Sequence, residues 1–204
     1  MTKTFKLREL SDQFCDLDRI ADPDEQNRHY SQMRLLVQRR LIEPTSPDIG
    51  RGKVARYALD TACKARLLMT LHRGDFDHSV LRNANNVMSK GYLQSKARAG
   101  RIPATEIAAA IEAVLEDRGV IFEFAVRRHW QTGKREVTGG FYLDDENLTK
   151  ARELLDAWGS VVQTISLPAS SLLRPFFENL SLVSTETNSV DAREASSKSD
   201  LDHR

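Results

Sequence analysis

The chain has 204 residues, 40% of them hydrophobic, enough to bury the core of one large domain or two small ones. No run of about 18 apolar residues occurs, and the opening MTKTFKLRELSDQF lacks the apolar stretch of a secretory signal, so neither a membrane span nor export is expected. The formal net charge of +1 hides an asymmetry: residues 1–102 hold 19 Lys/Arg against 12 Asp/Glu (+7), residues 103–182 hold 8 against 12 (−4), and residues 183–204 hold 3 against 5 (−2).

Residues 4–15 are the first expected helix, with Phe5, Leu7, Leu10 and Phe14 as its apolar stripe. Residues 16–24 are rich in acids and read as a loop. Asp22-Pro23-Asp24-Glu25 then signals a helix start: a capping Asp, Pro in the first turn and acids at the positive helix end. This second helix is expected over residues 23–41. At 100° per residue Tyr30, Met33, Leu36, Val37 and Leu41 gather on one side, and Arg28, Ser31, Gln32, Gln38 and Arg39 on the other. Pro44 and Pro47 end it. Gly50 and Gly52 loosen the loop that follows, which carries Arg51, Lys53 and Arg56 and leads into a short strand at Tyr57.

A third helix is expected from Asp60 with Ala65, Leu67, Leu68, Met69 and Leu71. A fourth is expected over residues 77–90, with Phe76, Val80, Ala84 and Val87 on one face. The linker 91–101 is basic. Within residues 28–101 the balance is 15 basic to 5 acidic residues, or +10, the electrostatic footprint of a nucleic-acid binder. A fifth helix follows Pro103 with Ile107, Ile111, Val114 and Leu115.

The period changes at Gly119. Residues 120–126 (VIFEFAV) read as a strand, Gln131-Thr132-Gly133-Lys134 as a turn, and residues 135–143 as the returning strand, with Gly139-Gly140 marking a bulge. Leu148, Leu154, Leu155 and Trp158 imply a sixth helix. Residues 161–167 alternate as a third strand, and residues 170–180 form a closing helix. From Val183 the chain is Ser-rich and charged and reads as a disordered tail.

A helix followed by a basic hairpin is how a winged helix-turn-helix grips DNA: the helix enters the major groove and the hairpin tip meets phosphates. Arg34, Leu41-Ile42, Pro44 and Arg56-Tyr57 resemble the second helix and wing of MerR-type regulators. Those typically read Arg-aromatic-Tyr, a few residues, Gly-Leu-Ile/Leu-x-Pro, then Arg-x-Tyr. Phe5-Lys6-Leu7-Arg8-Glu9-Leu10-Ser11 resembles the same family's opening helix. The resemblance covers residues 4–15 and 30–72. It departs from the family at Leu35-Leu36, where an aromatic pair is usual, at Arg40, where Gly is usual, and in the longer span of residues 16–27.

The expected fold class is α+β: an N-terminal winged helix-turn-helix with additional helices, then a small C-terminal domain of β-hairpin, helix and strand. The expected divisions are a DNA-binding domain over residues 1–73, a helical connector over 74–118, an α+β dimerisation or effector domain over 119–182, and the tail. The expected function is sequence-specific binding of double-stranded DNA by a transcriptional regulator in the cytoplasm, at the nucleoid. Arg28, Ser31, Gln32, Arg34 and Arg39 would serve on the helix, and Arg51, Lys53 and Arg56 on the wing. By geometry Arg pairs with guanine and Gln with adenine, while wing cations add phosphate affinity and salt dependence. Arg34 has two readings, a phosphate contact or a brace for the wing. Tyr57 reads as core.

A homodimer would double the contacts and read a pseudo-palindrome. The long dimer helix of the MerR type is not expected, because Gly74, Gly91, Gly100 and Pro103 interrupt that region. No phosphate loop, nucleophile elbow or paired-carboxylate motif stands out, so neither an enzyme nor a cofactor is expected. None of His29, His72, His78, His129 and His203 has metal-ligand spacing, and Cys15 and Cys63 read as buried thiols. His129-Trp130 falls at a hairpin end and reads as surface or interface. The alternatives are a DNA-architectural factor, for excision, packaging or partition, and a protein-docking module using the same basic face.

Overall fold

Two apolar residues at the start of the chain are used in a strand and not in a helix. In the computed structural model, which describes residues 3–45, 54–90, 106–143 and 145–182, Thr4–Phe5 form β1 and pair antiparallel with β2, Tyr57–Ala58. The first helix, α1 (Leu7–Leu17), therefore starts later and runs further than its stripe implied. The second, α2 (Pro23–Gln38), starts as expected: the Asp22 carboxylate accepts from the Glu25 amide at 3.1 Å and Pro23 sits in the first turn. It ends three residues before Leu41. Helices α3 (Leu59–Arg73), α4 (His78–Lys90) and α5 (Ile107–Leu115) follow, and α5 buries Ile107, Ile111 and Val114 as expected. The wing tip, residues 46–53, the basic linker 91–101 and the tail from Val183 lie outside the described residues.

The C-terminal part adds β3 (Ile121–His129), β4 (Arg135–Tyr142), α6 (Asp145–Asp156), β5 (Gly159–Leu167) and α7 (Ala169–Asn179). The three strands form one antiparallel sheet in the order β4-β3-β5. Together with seven helices and the β1-β2 ribbon among the described residues, the fold is α+β.

Strand alternation gives the sheet two different faces. Phe122, Phe124, Phe141 and Ile165 point into the main core. Glu123, Ala125 and Arg127 fall on the other side, where α6 lies. There Arg152 binds Glu123 at 2.5 and 3.1 Å, Arg127 binds Asp156 at 2.8 Å, and Tyr142 packs with Leu148 and Ala151. The main core is continuous from the N-terminal helices to the sheet. Phe176 of α7 is its hinge-pin, with ring centroids 5.9 Å from Phe5 and 5.4 Å from Phe14. Lys3 also donates to the Leu180 carbonyl at 3.0 Å.

The bulge is not at Gly139-Gly140. The β3-β4 register is unbroken from Ile121↔Tyr142 to Arg128↔Arg135. Gly139 serves close approach instead: at φ +153, a Cβ there would lie 2.2 Å from the Glu123 carbonyl oxygen. The irregularity is in β5, where Gln163 pairs with Val126 but Val161 pairs with Arg127, leaving Val162 unpaired and 51% exposed.

Five helices end in the same way. Arg19, Arg40, Asp75, Asp117 and Ser181 have φ between +53 and +62, in the left-handed region. In each case this residue's amide donates three residues back and the next amide donates five residues back, as in Arg40 to Val37 and Leu41 to Leu36. This is the Schellman arrangement, whose left-handed position usually takes Gly. Here no glycine marks it, so the early end of α2 was not visible in the residue pattern.

Candidate nucleic-acid interface

Helix α2 is anchored along one side. Met33 and Leu36 enter the core, as does Leu41 just beyond the helix, while Val37 and Tyr30 are half-buried. Arg8 of α1 lies 4.9 Å above the Tyr30 ring. The residue pattern missed His29, which is 3% exposed. Its Nδ1 lies 2.9 Å from the Ser11 hydroxyl and its ring stands edge-on to Phe14. Burial depresses its pKa to about 4, so it is neutral at pH 7. The signal was faint because its partner lies 18 residues away, on another helix.

A second fixture joins α1 to α3. Asp18, the C-cap of α1, takes both guanidinium nitrogens of Arg66 at 2.7 and 2.5 Å and one of Arg73 at 2.5 Å. Burial pushes the Asp18 carboxyl up, but the hydrogen bond and charge of Arg66, with the charge of Arg73, outweigh it and hold the pKa below the ordinary value. Arg66 and Arg73 are therefore structural cations, and the free positive charge of this region is smaller than the residue count implies.

The opposite side of α2 is exposed at Asn27, Arg28, Ser31, Arg34, Gln38 and Arg39. Between Glu25 and Glu43 there is no acid. The side chains of Arg28, Arg34, Arg39 and Arg40 make no hydrogen bond or ion pair among the described residues. The acids Asp22, Asp24 and Glu25 crowd the helix start, so the cationic part is its later half. The Ser31 hydroxyl donates to the Asn27 carbonyl at 2.9 Å, which leaves its lone pairs facing outward as acceptors. Gln32 is half-buried. With Arg28, His72 and Arg73 it lines an open cleft of about 220 Å³ between α2 and the end of α3.

Of the wing residues, Arg56 is described: it is exposed, and its carbonyl accepts from the Thr45 amide at 2.8 Å, which joins the chain before residue 46 to the chain after residue 53. Arg51 and Lys53 lie outside the described residues. Tyr57 is 2% exposed and belongs to the core. The Arg34 side chain is exposed and bonds no backbone carbonyl among the described residues. The structure thus brings Arg28, Ser31, Arg34 and Arg39 onto one solvent face and sets Gln32 at its edge, while Arg40, just past the helix end, is exposed as well.

Cys15 and Cys63 are free and buried, and burial raises both thiol pKa values. No group of three or more His, Cys, Asp or Glu among the described residues is arranged to hold a metal ion, and no helix among them is long and apolar enough to cross a membrane. No protein-family model matches the chain, and no curated protein matches it.

Proposed function

We propose that the protein binds double-stranded DNA sequence-specifically and acts at the nucleoid as a transcriptional regulator, as a divergent relative of the MerR-type winged helix-turn-helix proteins. The observation that carries this reading is the outer face of α2. Arg28 and Arg34 on this face, and Arg39 and Arg40 just past the helix end, have exposed side chains unpaired among the described residues, without an acid among them, while the inner face is fixed by Met33, Leu36 and the His29–Ser11 contact. A rigid helix with unspent guanidinium donors matches what the major groove accepts from guanine. Arg51, Lys53 and Arg56 would meet phosphates from the segment whose two ends Thr45 and Arg56 join. The helix in the groove would read bases through Arg28, Ser31, Arg34 and Arg39, with Gln32 at its margin.

The same reading takes the protein as a homodimer on a two-fold site. Support comes from β5, an edge strand that contains no charged residue and exposes Val161 and Val162. An uncharged edge is open to pairing with its own copy.

Selection of bound fragments from a random duplex pool tests binding, specificity and half-site symmetry together. An enriched motif with two-fold symmetry is expected. The Arg51/Lys53/Arg56 triple Ala variant should lose affinity for all duplexes, and its log-affinity slope against log salt should flatten by about 0.9 for each phosphate contact removed. The Gln32→Ala variant should relax the motif while keeping that slope. A pool that shows no enrichment, with no salt-dependent duplex binding, overturns the proposal.

A further inference from the structure

The hairpin joining β3 to β4 carries a group of side chains that the reading of α2 leaves unused. Trp130 at its tip is 65% exposed, the most exposed large hydrophobic side chain among the described residues. Burying such a ring would be favourable by a few kcal/mol, so holding it outward from a stiff support calls for a reason. The support is stiff. The His129 Nδ1 accepts from the Gln131 and Thr132 amides at 3.2 Å each, which holds the ring against the turn. His129 and Lys134 are joined through their backbones at 2.9 Å, as are Gly133 and His129, and Gly133 takes the left-handed turn at φ +66. The His129 ring stands edge-on to Trp158 at 4.8 Å. The Trp130 indole N–H donates to the Asp156 carbonyl at 3.3 Å, and no ring or guanidinium among the described residues stacks on it.

Asp156, whose carbonyl takes the indole N–H, spends its carboxylate on Arg127 at 2.8 Å, and the charged residues flanking the turn itself, Arg128, Lys134 and Arg135, are all basic. Arg128 and Arg135 are directly opposed cross-strand partners, both exposed, and Lys134 is adjacent. Like charges in that position are destabilising by themselves. On β5 the residue opposite Arg128 is Ser160, so the row Arg135–Arg128–Ser160 contains no carboxylate. The nearest acid in sequence, Glu136, pairs with Arg127 and points to the other face of the sheet. This occurs in the acidic half of the chain, where residues 103–182 carry 12 acids to 8 bases.

We propose that this hairpin tip is a second nucleic-acid contact, which takes an unpaired base stacked on Trp130 with its flanking phosphates on Arg128, Arg135 and Lys134. Aromatic rings beside cations are the recurring means of holding single strands, because every base offers a ring face to stack. The remaining tip residues, Gln131, Thr132 and Gly133, are polar or small, so the tip lacks the apolar area that insertion into a lipid surface requires. The inference does not depend on α2 reading duplex DNA.

The test uses the full chain with Trp158→Phe, so that Trp130 is the single tryptophan. Titration with an oligothymidine strand should quench its emission, while polyglutamate of equal charge should not. In fluorescence anisotropy with labelled oligothymidine, Trp130→Ala should weaken binding about tenfold or more, the size of one lost base stack, and Trp130→Phe should restore most of it. Arg128→Ala/Arg135→Ala should flatten the salt dependence for the single strand. Thermal midpoints no lower than the parent's verify folding of each variant. Unquenched emission, equal quenching by polyglutamate, or Trp130→Ala binding like the parent overturns the inference. Loss of duplex selection with these results intact would overturn the α2 reading alone.

Discussion

Arg66 of α3 grips Asp18 of the α1 cap through both carboxylate oxygens, at 2.7 and 2.5 Å, with its own side chain 9% exposed. The pair ties the helix that supports α2 to the helix that follows the expected wing. It also places two cations against a carboxylate at a helix C-terminus, where a lone negative charge would be unfavourable.

Asp18→Asn leaves the buried Arg66 guanidinium without its counter-charge. The expected loss is about 3 kcal/mol, which lowers the thermal midpoint by roughly 6–12 °C. Calorimetry of the variant checks this. An unchanged midpoint would mean that Arg66 finds water instead.

Acidification should destabilise the fold through His29. Burial holds it neutral down to about pH 4, whereas an unfolded histidine takes up its proton near pH 6.5. Below pH 6.5 the unfolded chain binds one more proton, so this stability is complete above that pH and is lost on the way down to about pH 4. The steepest loss is roughly 1.4 kcal/mol per pH unit. Asp18, held below 3.8, acts under this window, where its contribution is lost as pH falls further. His29→Gln should flatten the dependence of the thermal midpoint on pH between about 7 and 5. If parent and variant lose stability in parallel, another group is responsible.

Arg40→Gly should stabilise the chain by about 0.5–1 kcal/mol, because glycine adopts the left-handed conformation that Arg40 holds at φ +54 without a Cβ clash. Arg40→Ala removes the same charge and should gain nothing. Denaturant midpoints of the two variants separate the backbone effect from the charge effect.

Gly139→Ala should be among the most damaging single-methyl additions, at about 3 kcal/mol or more, since the new carbon would meet the Glu123 carbonyl oxygen at 2.2 Å and the φ of +153 is unfavourable to any side chain. Gly119→Ala, with nothing within 4 Å of the new methyl, is the matched control and should stay within about 0.5 kcal/mol of the parent. Urea unfolding of both gives the comparison.

These residues also explain what could be read in the chain beforehand. The α2 start was legible because its signals are local: Asp22, Pro23 and the Glu25 amide lie within four positions. Its outer face followed from helical periodicity, β3 from its β-branched and aromatic residues and β5 from alternation, whereas β1 was hidden in a stripe that reads as helix. Its end was not legible, because the left-handed position that stops it holds Arg and not Gly. Nor were the structural cations, since Arg66 and Arg73 differ from a solvated arginine by a carboxylate 48 and 55 residues earlier in the chain. His29 was hidden for the same reason. Gly139 was noticed, but its role depended on a neighbouring strand, and a residue pattern does not contain the distance to Glu123.

The bond from Lys3 to the Leu180 carbonyl has a topological consequence. The first and last described elements meet, β1 being held by β2 while α7 is held against α1, so the path from residue 3 to residue 182 returns almost to its start. A short linker from residue 182 back to residue 3 would complete the circle, and new ends could be opened between α3 and α4, where Asp75 and Asp77 are exposed. Any partner fused at either end of this fold would emerge from the same side of it.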